Sequence, residues 1–272
     1  IVNVTPDSFS DGGRYASTEA AVERAQALVD RGAGIVDVGG ESTRPGSQRV
    51  PAEEEIARVV PVVRELAARG IAVSVDTINA ATARAAAEAG AAIVNDVSGG
   101  LYDPDMHATV ADLDVAYLLQ HWRGTPDTMN DLAVYDDVVV EVCRELTDRL
   151  AEAVAAGIPE RRIILDPGLG FAKNAAHNWA LLARLDALQA LGRPLLIGAS
   201  RKRFVAGVVP GHLAADPAER DRATDAITAL CAQQRVWGVR VHEVAGSVDA
   251  VRVVEAVRAA RRGPPSSEGE HR

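Results

Sequence analysis

Lysine is almost missing from this chain of 272 residues: of its 29 basic Lys and Arg side chains, only Lys173 and Lys202 are lysines. Arginine carries nearly all the positive charge. A compact ammonium kept at Lys202, inside Ser200-Arg201-Lys202-Arg203, therefore points to a role that a planar guanidinium cannot fill. Cysteine is equally scarce. Cys143 and Cys231 lie in helical patterns without metal-ligand spacing and give no disulfide framework, which is the usage expected in a reducing cytoplasm. No apolar run approaches the roughly 18 residues that a membrane-spanning helix needs. The net charge of -9 excludes broad attraction to nucleic acid, so an anionic substrate has to be held by cations placed locally. No His/Cys/Glu cluster has zinc spacing, and no GxGxxG turn follows the first apolar run. Aromatics are only 4% of the residues, and Phe9 stands out among them because it sits in a polar stretch. Trp122, Trp179 and Trp237 flank apolar segments and read as packing.

Against these absences stands a repeated unit. Short apolar runs at residues 1–4, 35–38, 72–75, 92–94, 115–119, 163–165, 195–197 and 239–241 each end in polar residues. Helical periodicity follows at 18–31, 53–69, 80–89, 131–156, 175–191, 218–235 and 247–261, and Gly closes five of these segments at Gly32, Gly70, Gly90, Gly157 and Gly192. Strands apolar on both faces, alternating with amphipathic helices, make a parallel sheet with helices outside. Eight such units predict a closed (βα)8 TIM barrel in a single domain over residues 1–262. The chain starts inside an apolar run, so the first strand is expected to be truncated, and residues 263–272, without apolar periodicity, are expected to form a disordered tail.

In such a barrel the strand C-termini converge, and the residues at the eight endings become neighbours. They are Asn3, Asp37, Asp76, Asn95, His121, Asp166, Ser200 with Lys202, and His242. Asp166-Pro167-Gly168 alone reads as a turn. Placed beside Asp76 and Asn95, however, it adds a second carboxylate, and unpaired carboxylates in a barrel mouth call for a donor-rich ligand. A flat heterocycle with adjacent ring N–H and exocyclic amine groups would satisfy them in the two-pronged way a guanidinium does. Lys202, Arg240 and His242 make a cationic corner where barrels commonly hold phosphate, which implies an oligophosphate. Loops at 3–13 and 41–46 bring oxygen ligands, Phe9 and Arg44 to the same end. His121 has no partner pattern and reads as packing.

The segments 3–13, 41–46, 74–77, 94–100, 166–171, 200–202 and 240–242 together, in this order, resemble the dihydropteroate synthases, the actinobacterial enzymes most of all. The resemblance covers the chain up to its tail. It implies a (βα)8 barrel, usually a cytoplasmic homodimer, that joins a dihydropterin pyrophosphate to p-aminobenzoate in folate synthesis and is a target of sulfonamides. It further implies that Asp76, Asn95, Asp166 and Lys202 hold the pterin, with Asp76, Asp166 and Lys202 catalytic. Asn3, Arg240 and His242 would bind pyrophosphate, with Asn3 also touching Mg2+. Phe9, Thr43, Arg44, Pro45, Phe171, Ser200 and Arg203 would surround p-aminobenzoate. A non-catalytic pterin-binding relative or a pterin-dependent methyltransferase barrel is the alternative, the latter having no need of the 200–202 corner or the Arg240/His242 anion site.

One position departs from the family. Methionine usually precedes the histidine of Leu118-Leu119-Gln120-His121-Trp122, but here the residue is Gln120. Strand alternation puts Gln120 on the face opposite Leu119 and His121, and the resemblance implies the register that points it into the barrel beside the pterin, where a buried amide needs partners from Asp166, Asn95 or the ligand. Gln120→Met is expected to be tolerated, with the KM for the pterin pyrophosphate changing by less than about tenfold. A large gain in affinity on restoring methionine would mean instead that Gln120 marks a damaged site.

Overall fold

A computed structural model describes residues 1–4, 13–41, 50–125 and 127–262. Phe9, Thr43, Arg44, Pro45 and the tail at 263–272 lie outside the described residues. Eight parallel strands follow one another round a barrel: β1 Val2–Asn3, β2 Val36–Gly39, β3 Val73–Asp76, β4 Ile93–Asp96, β5 Ala116–Gln120, β6 Ile163–Asp166, β7 Leu196–Ile197 and β8 Gly238–Val239. The first six form one ladder in sequence order and the last two another. Two seams join them. A single parallel bridge links Leu165 to Leu195, with Leu165 N–H donating to the Pro194 carbonyl at 2.9 Å, and the Ile1 amine donates to the Val241 carbonyl at 3.1 Å. The described helices are α1 Gly13–Asp30, α2 Ala52–Ala68, α3 Ala80–Glu88, α4 Met106–Asp112, α5 Val138–Ala155, α6 Ala175–Ala183, α7 Leu185–Gln189, α8 Asp221–Gln233 and α9 Ala245–Arg262.

Period-two alternation divides the strands into two cores. Val36, Val38, Val73, Val75, Val94, Tyr117, Leu119, Ile163, Leu165 and Ile197 point outward into the main core beneath the helices. Helix α2 answers with Val59, Val62, Val63 and Leu66, the spacing that puts one stripe on the sheet. Inward-facing Ile93, Leu118 and Ile164, with Ala116 and Leu196 against them, fill the barrel itself. No helix among the described residues is long and apolar enough to cross a membrane.

Two helical expectations are corrected, and one helix was not expected. The segment expected at 131–156 starts at Val138, because the Asp137 carboxylate accepts Val139 N–H at 2.9 Å and Val140 N–H at 3.1 Å and so caps α5 there. The stretch expected at 175–191 breaks at Arg184 (φ -123°, ψ 44°), and the change of direction lets α7 bury Leu185 and Leu188. Helix α4, to which no periodicity had pointed, is seven residues long and anchored by Met106, Thr109 and Val110.

All five expected stop glycines have positive φ, but their surroundings differ. A Cβ on Gly70 meets nothing within 4 Å, whereas one on Gly90 would lie 2.6 Å from the Ala67 Cβ. Gly70→Ala should therefore cost only the left-handed strain, about 1 kcal/mol. Gly90→Ala adds a clash between α2 and the end of α3 and should cost about 3 kcal/mol. Urea denaturation of the two variants checks the order, which equal losses would contradict.

Candidate active site

The alternation that packs Ile93, Leu118, Ile164 and Leu196 inside the barrel puts the residue two further on in each strand into the mouth: Asn95, Gln120, Asp166 and Gly198. Register completes the layer. Asp76 pairs with Asn95, Gly39 with both Asn3 and Asp76, and Gln120 with Asp166. A methyl on Gly198 would lie 3.7 Å from Asp166 Oδ2, 3.8 Å from Lys202 Nζ and 4.0 Å from Arg240 Cβ, so these three groups converge on one point. A methyl on Gly39 would lie 3.8 Å from the amide oxygen of Asn3, which places that part-buried side chain at the same rim.

Charge in the mouth is organised around Arg240. Its guanidinium bonds to the Asp37 carboxylate through Nε and to Asp76 Oδ2 through Nη2 at 2.5 Å. Asn95, also buried, points its Nδ2 at both Asp37 oxygens from 3.4 Å and leaves its Oδ1 as a buried acceptor without a partner. One guanidinium cannot fully neutralise two carboxylates. Burial pushes Asp76 up to about 7 despite Arg240, while at Asp37 the cost of burial is outweighed by Arg240 and Ser74 and the carboxyl falls below its usual range. Burial also raises Asp166, against the pull of Lys202, and Asp166 Oδ1 accepts Gly168 N–H at 2.7 Å.

Lys202 bonds to the Leu169 carbonyl and lies 4.8 Å from the centre of the part-buried Phe171 ring. Its ammonium is lowered to about 8 by burial, which Asp166 partly offsets. Ser200 and His242, assigned by resemblance to different ligands, are joined here: Ser200 Oγ is 2.9 Å from His242 Nδ1 and accepts His242 N–H at 3.1 Å. Arg203 opens the 3-10 turn Arg203–Val208 with an exposed side chain and does not join the cluster. Gln120 is buried and hydrogen-bonded, as expected. Its Nε2 donates at 3.2 Å to the Val97 carbonyl rather than to Asp166 or Asn95. The segment bearing Val97 is fixed by Asp96, whose buried carboxylate accepts Ser98 N–H, Ser98 Oγ–H, Gly100 N–H and Tyr117 O–H between 2.6 and 2.8 Å.

Sequence reasoning had given no role to several of these groups. Asp37 ended an apolar run, but its tie to Arg240 spans 203 residues. His121, read as packing, faces out of the barrel, buried, with Nε2 2.9 Å from Glu145 Oε2 and Nδ1 2.8 Å from Lys173 Nζ. For Mg2+, no three His, Cys, Asp or Glu side chains among the described residues cluster as a metal site. The Asn3 amide nevertheless suits an ion that takes most of its ligands from phosphate oxygens and water, so the residues present fit it.

A family model described as pterin-binding enzyme matches residues 1–242. The dihydropteroate synthase of Mycobacterium leprae is 52% identical over 259 residues, covering 94% of this chain and 91% of that protein. The structure of Xanthomonas albilineans dihydropteroate synthase with 4-aminobenzoic acid superposes with a TM-score of 0.86 at 46% identity, covering 95% and 91% of the two chains. The same Xanthomonas enzyme in complex with 7,8-dihydropteroate gives 0.83 at 44% identity, with 95% and 92% covered.

The raised Asp76 carries a stability signature. The unfolded chain loses this proton near the ordinary carboxylate value of 3.8 and the folded chain only near 7, so Asp76 erodes stability as pH rises between the two and no further above them. Asp76→Asn removes that term. Denaturation at pH 4.5 and pH 8 should show the variant gaining on the wild type at the higher pH, and a constant difference would contradict the assignment.

Proposed function

The chain belongs to the pterin-binding enzyme family, among the dihydropteroate synthases, and from that premise we propose that it joins 6-hydroxymethyl-7,8-dihydropterin pyrophosphate to p-aminobenzoate with release of pyrophosphate. The observation that carries this reading is the convergence of Asp76, Asn95 and Asp166, suited to a flat donor-rich ring, with the cations Lys202 and Arg240. The orphaned Asn95 Oδ1 is an acceptor in need of an N–H. Asp76 and Asp166, costly to ionise when buried alone, gain from a ligand that donates to them.

An aryl amine is a weak nucleophile, so the pterin methylene breaks its bond to the pyrophosphate oxygen ahead of attack. The amine nitrogen then forms the new C–N bond and gives up one proton, which the released pyrophosphate takes up. Lys202, Arg240 and His242 stabilise the charge that builds on the leaving pyrophosphate, and Asp76 and Asp166 offset the positive charge spreading over the pterin ring. Asn3 would hold Mg2+, which would supply charge neutralisation for the leaving pyrophosphate. Arg240 has to give up part of its hold on Asp76 as the pterin arrives, so the guanidinium passes from carboxylate to pyrophosphate. Phe9, Thr43, Arg44, Pro45, Phe171, Ser200 and Arg203 are assigned to the p-aminobenzoate side, where a sulfonamide competes. We assign the protein to the cytoplasm and to a homodimer. The exposed Val253 and Val257, one turn apart on α9, and the exposed Leu230 on α8 are apolar surface that a second copy would cover.

Pyrophosphate release measured with and without p-aminobenzoate tests the reaction. Amine-dependent release is expected, and its absence would leave a pterin binder or a methyltransferase. Lys202→Ala should lower turnover on the order of 10²-fold, the usual effect of removing one preorganised donor to developing charge. Near-wild-type turnover would reject its role.

A further inference from the structure

The two lysines of the chain grip the same short turn from opposite sides. From the barrel interior, Lys202 Nζ donates to the Leu169 carbonyl. From the helix side, Lys173 Nζ, buried, donates to the Phe171 carbonyl at 3.0 Å. The turn between them is tightly wound. Gly168, Gly170 and Ala172 all have positive φ, at 66°, 79° and 48°, and Phe171 N–H donates to the Gly168 carbonyl at 3.0 Å. Ala172 holds a left-handed conformation that a residue with a Cβ keeps only when its surroundings impose it.

Lys173 is itself anchored by a directional chain. Its ammonium is 2.8 Å from His121 Nδ1, so that nitrogen is the acceptor and the proton of the ring sits on Nε2, 2.9 Å from Glu145 Oε2. Arg123 closes the chain, donating from Nε to Glu145 Oε2 at 3.0 Å and from Nη2 to Glu141 Oε2 at 2.8 Å, with its guanidinium 3.9 Å over the Tyr135 ring. Every donor and acceptor fits one protonation pattern: Lys173 and Arg123 charged, His121 neutral, Glu145 ionised. Burial keeps His121 neutral by lowering it to about 4. A compact ammonium with three rotatable donors meets a ring nitrogen and a carbonyl at once, whereas a planar fork does not, which accounts for lysine in a chain that otherwise uses arginine.

We propose that Lys173 is a positioning residue of the reaction: anchored on neutral His121, it holds the Leu169-Gly170-Phe171 turn in place when Lys202 leaves the Leu169 carbonyl for the pterin pyrophosphate. This rests on the function proposed above. Without Lys173, the release of Leu169 would free the turn that carries Phe171 toward p-aminobenzoate. The device has a pH range. Burial lowers Lys173 to about 7, with Asp166 on β6 and Glu145 on α5 opposing and Lys202 and Arg123 adding to the fall, and His177 on α6 is lowered by burial and then by Lys173. As pH rises through 7, Lys173 loses its proton and the charge-assisted bond to Phe171 weakens.

Two lysines give two resonances under lysine-selective 13C/15N labelling, which Lys173→Arg assigns. In the wild type the Lys173 signal should titrate near pH 7, and the KM for p-aminobenzoate at saturating pterin pyrophosphate should rise over the same range. Lys173→Met should raise that KM about tenfold at pH 6.5, change kcat less than threefold and flatten the rise. Glu145→Gln, which leaves the turn untouched, removes a charge that favours the ammonium and should move both titrations to lower pH. A folded Lys173→Met with the wild-type KM and pH profile would overturn the proposal. So would a Glu145→Gln protein in which neither titration moves. Absence of amine-dependent pyrophosphate release in the wild type would instead sink the functional reading, and this proposal with it.

Discussion

One cation shared by two buried carboxylates is the constraint around which the mouth of this barrel is arranged. The side chains of Asp37 and Asp76 keep only 11% and 10% of their surface, and Arg240 keeps 24%. A single buried carboxylate without a partner would be costly, and two side by side more so. Arg240 makes the empty site tolerable by lying across both. It cannot satisfy them equally, and the surplus demand falls on Asp76, at the rim, rather than on Asp37, one layer deeper and paired in register with Ser74. The site is thus built to exchange one donor array for another. In the reading proposed above, a ligand with two N–H groups would relieve Asp76 and release the guanidinium for an anionic leaving group.

Deeper support comes from carboxylates that never face the ligand. Asp96 takes four hydrogen bonds from its own loop and from Tyr117 on the next strand, and this fixes the carbonyl that receives Gln120. Buried Glu55 on α2 accepts from Thr77, Asn79 and Thr82 between 2.7 and 2.9 Å, tying that helix to the end of β3 just past Asp76. These groups set the directions in which the mouth residues point, and polar networks of this kind are rigid only when every member is satisfied.

What could be read from the sequence was whatever has a local period. The strand endings were legible because alternation is a short-range rule and eight strands converge in a barrel, so Asp76, Asn95 and Asp166 followed directly, while the inward turn of Gln120 also needed the register that the family resemblance implied. Helix α4 escaped because its seven residues are under two turns. The start of α5 was placed too early because Leu132 and Val134 continue an apolar rhythm although both are exposed, at 44% and 75%. Pairings across the barrel were illegible in principle. Nothing near Asp37 names Arg240, and nothing near His121 names Lys173 or Glu145. These are consequences of closure and burial, which single-chain patterns do not encode. The scarcity of lysine was the one global signal, and it was read only at Lys202; Lys173 was counted without a role, because its partners His121 and Glu145 lie far off in sequence.

That scarcity also shapes how the protein meets its chemical surroundings. Its exterior cations are arginines, and its two side-chain amines sit inside, Lys173 buried and Lys202 part-open to the mouth. Acyl donors, aldehydes and sugars that react with amines find almost no target on the outer surface. The amine they can reach is Lys202, at the barrel mouth beside Asp166 and Arg240, so acylation there would report on whether the mouth is open, and under the proposed function a bound ligand would act as its protecting group.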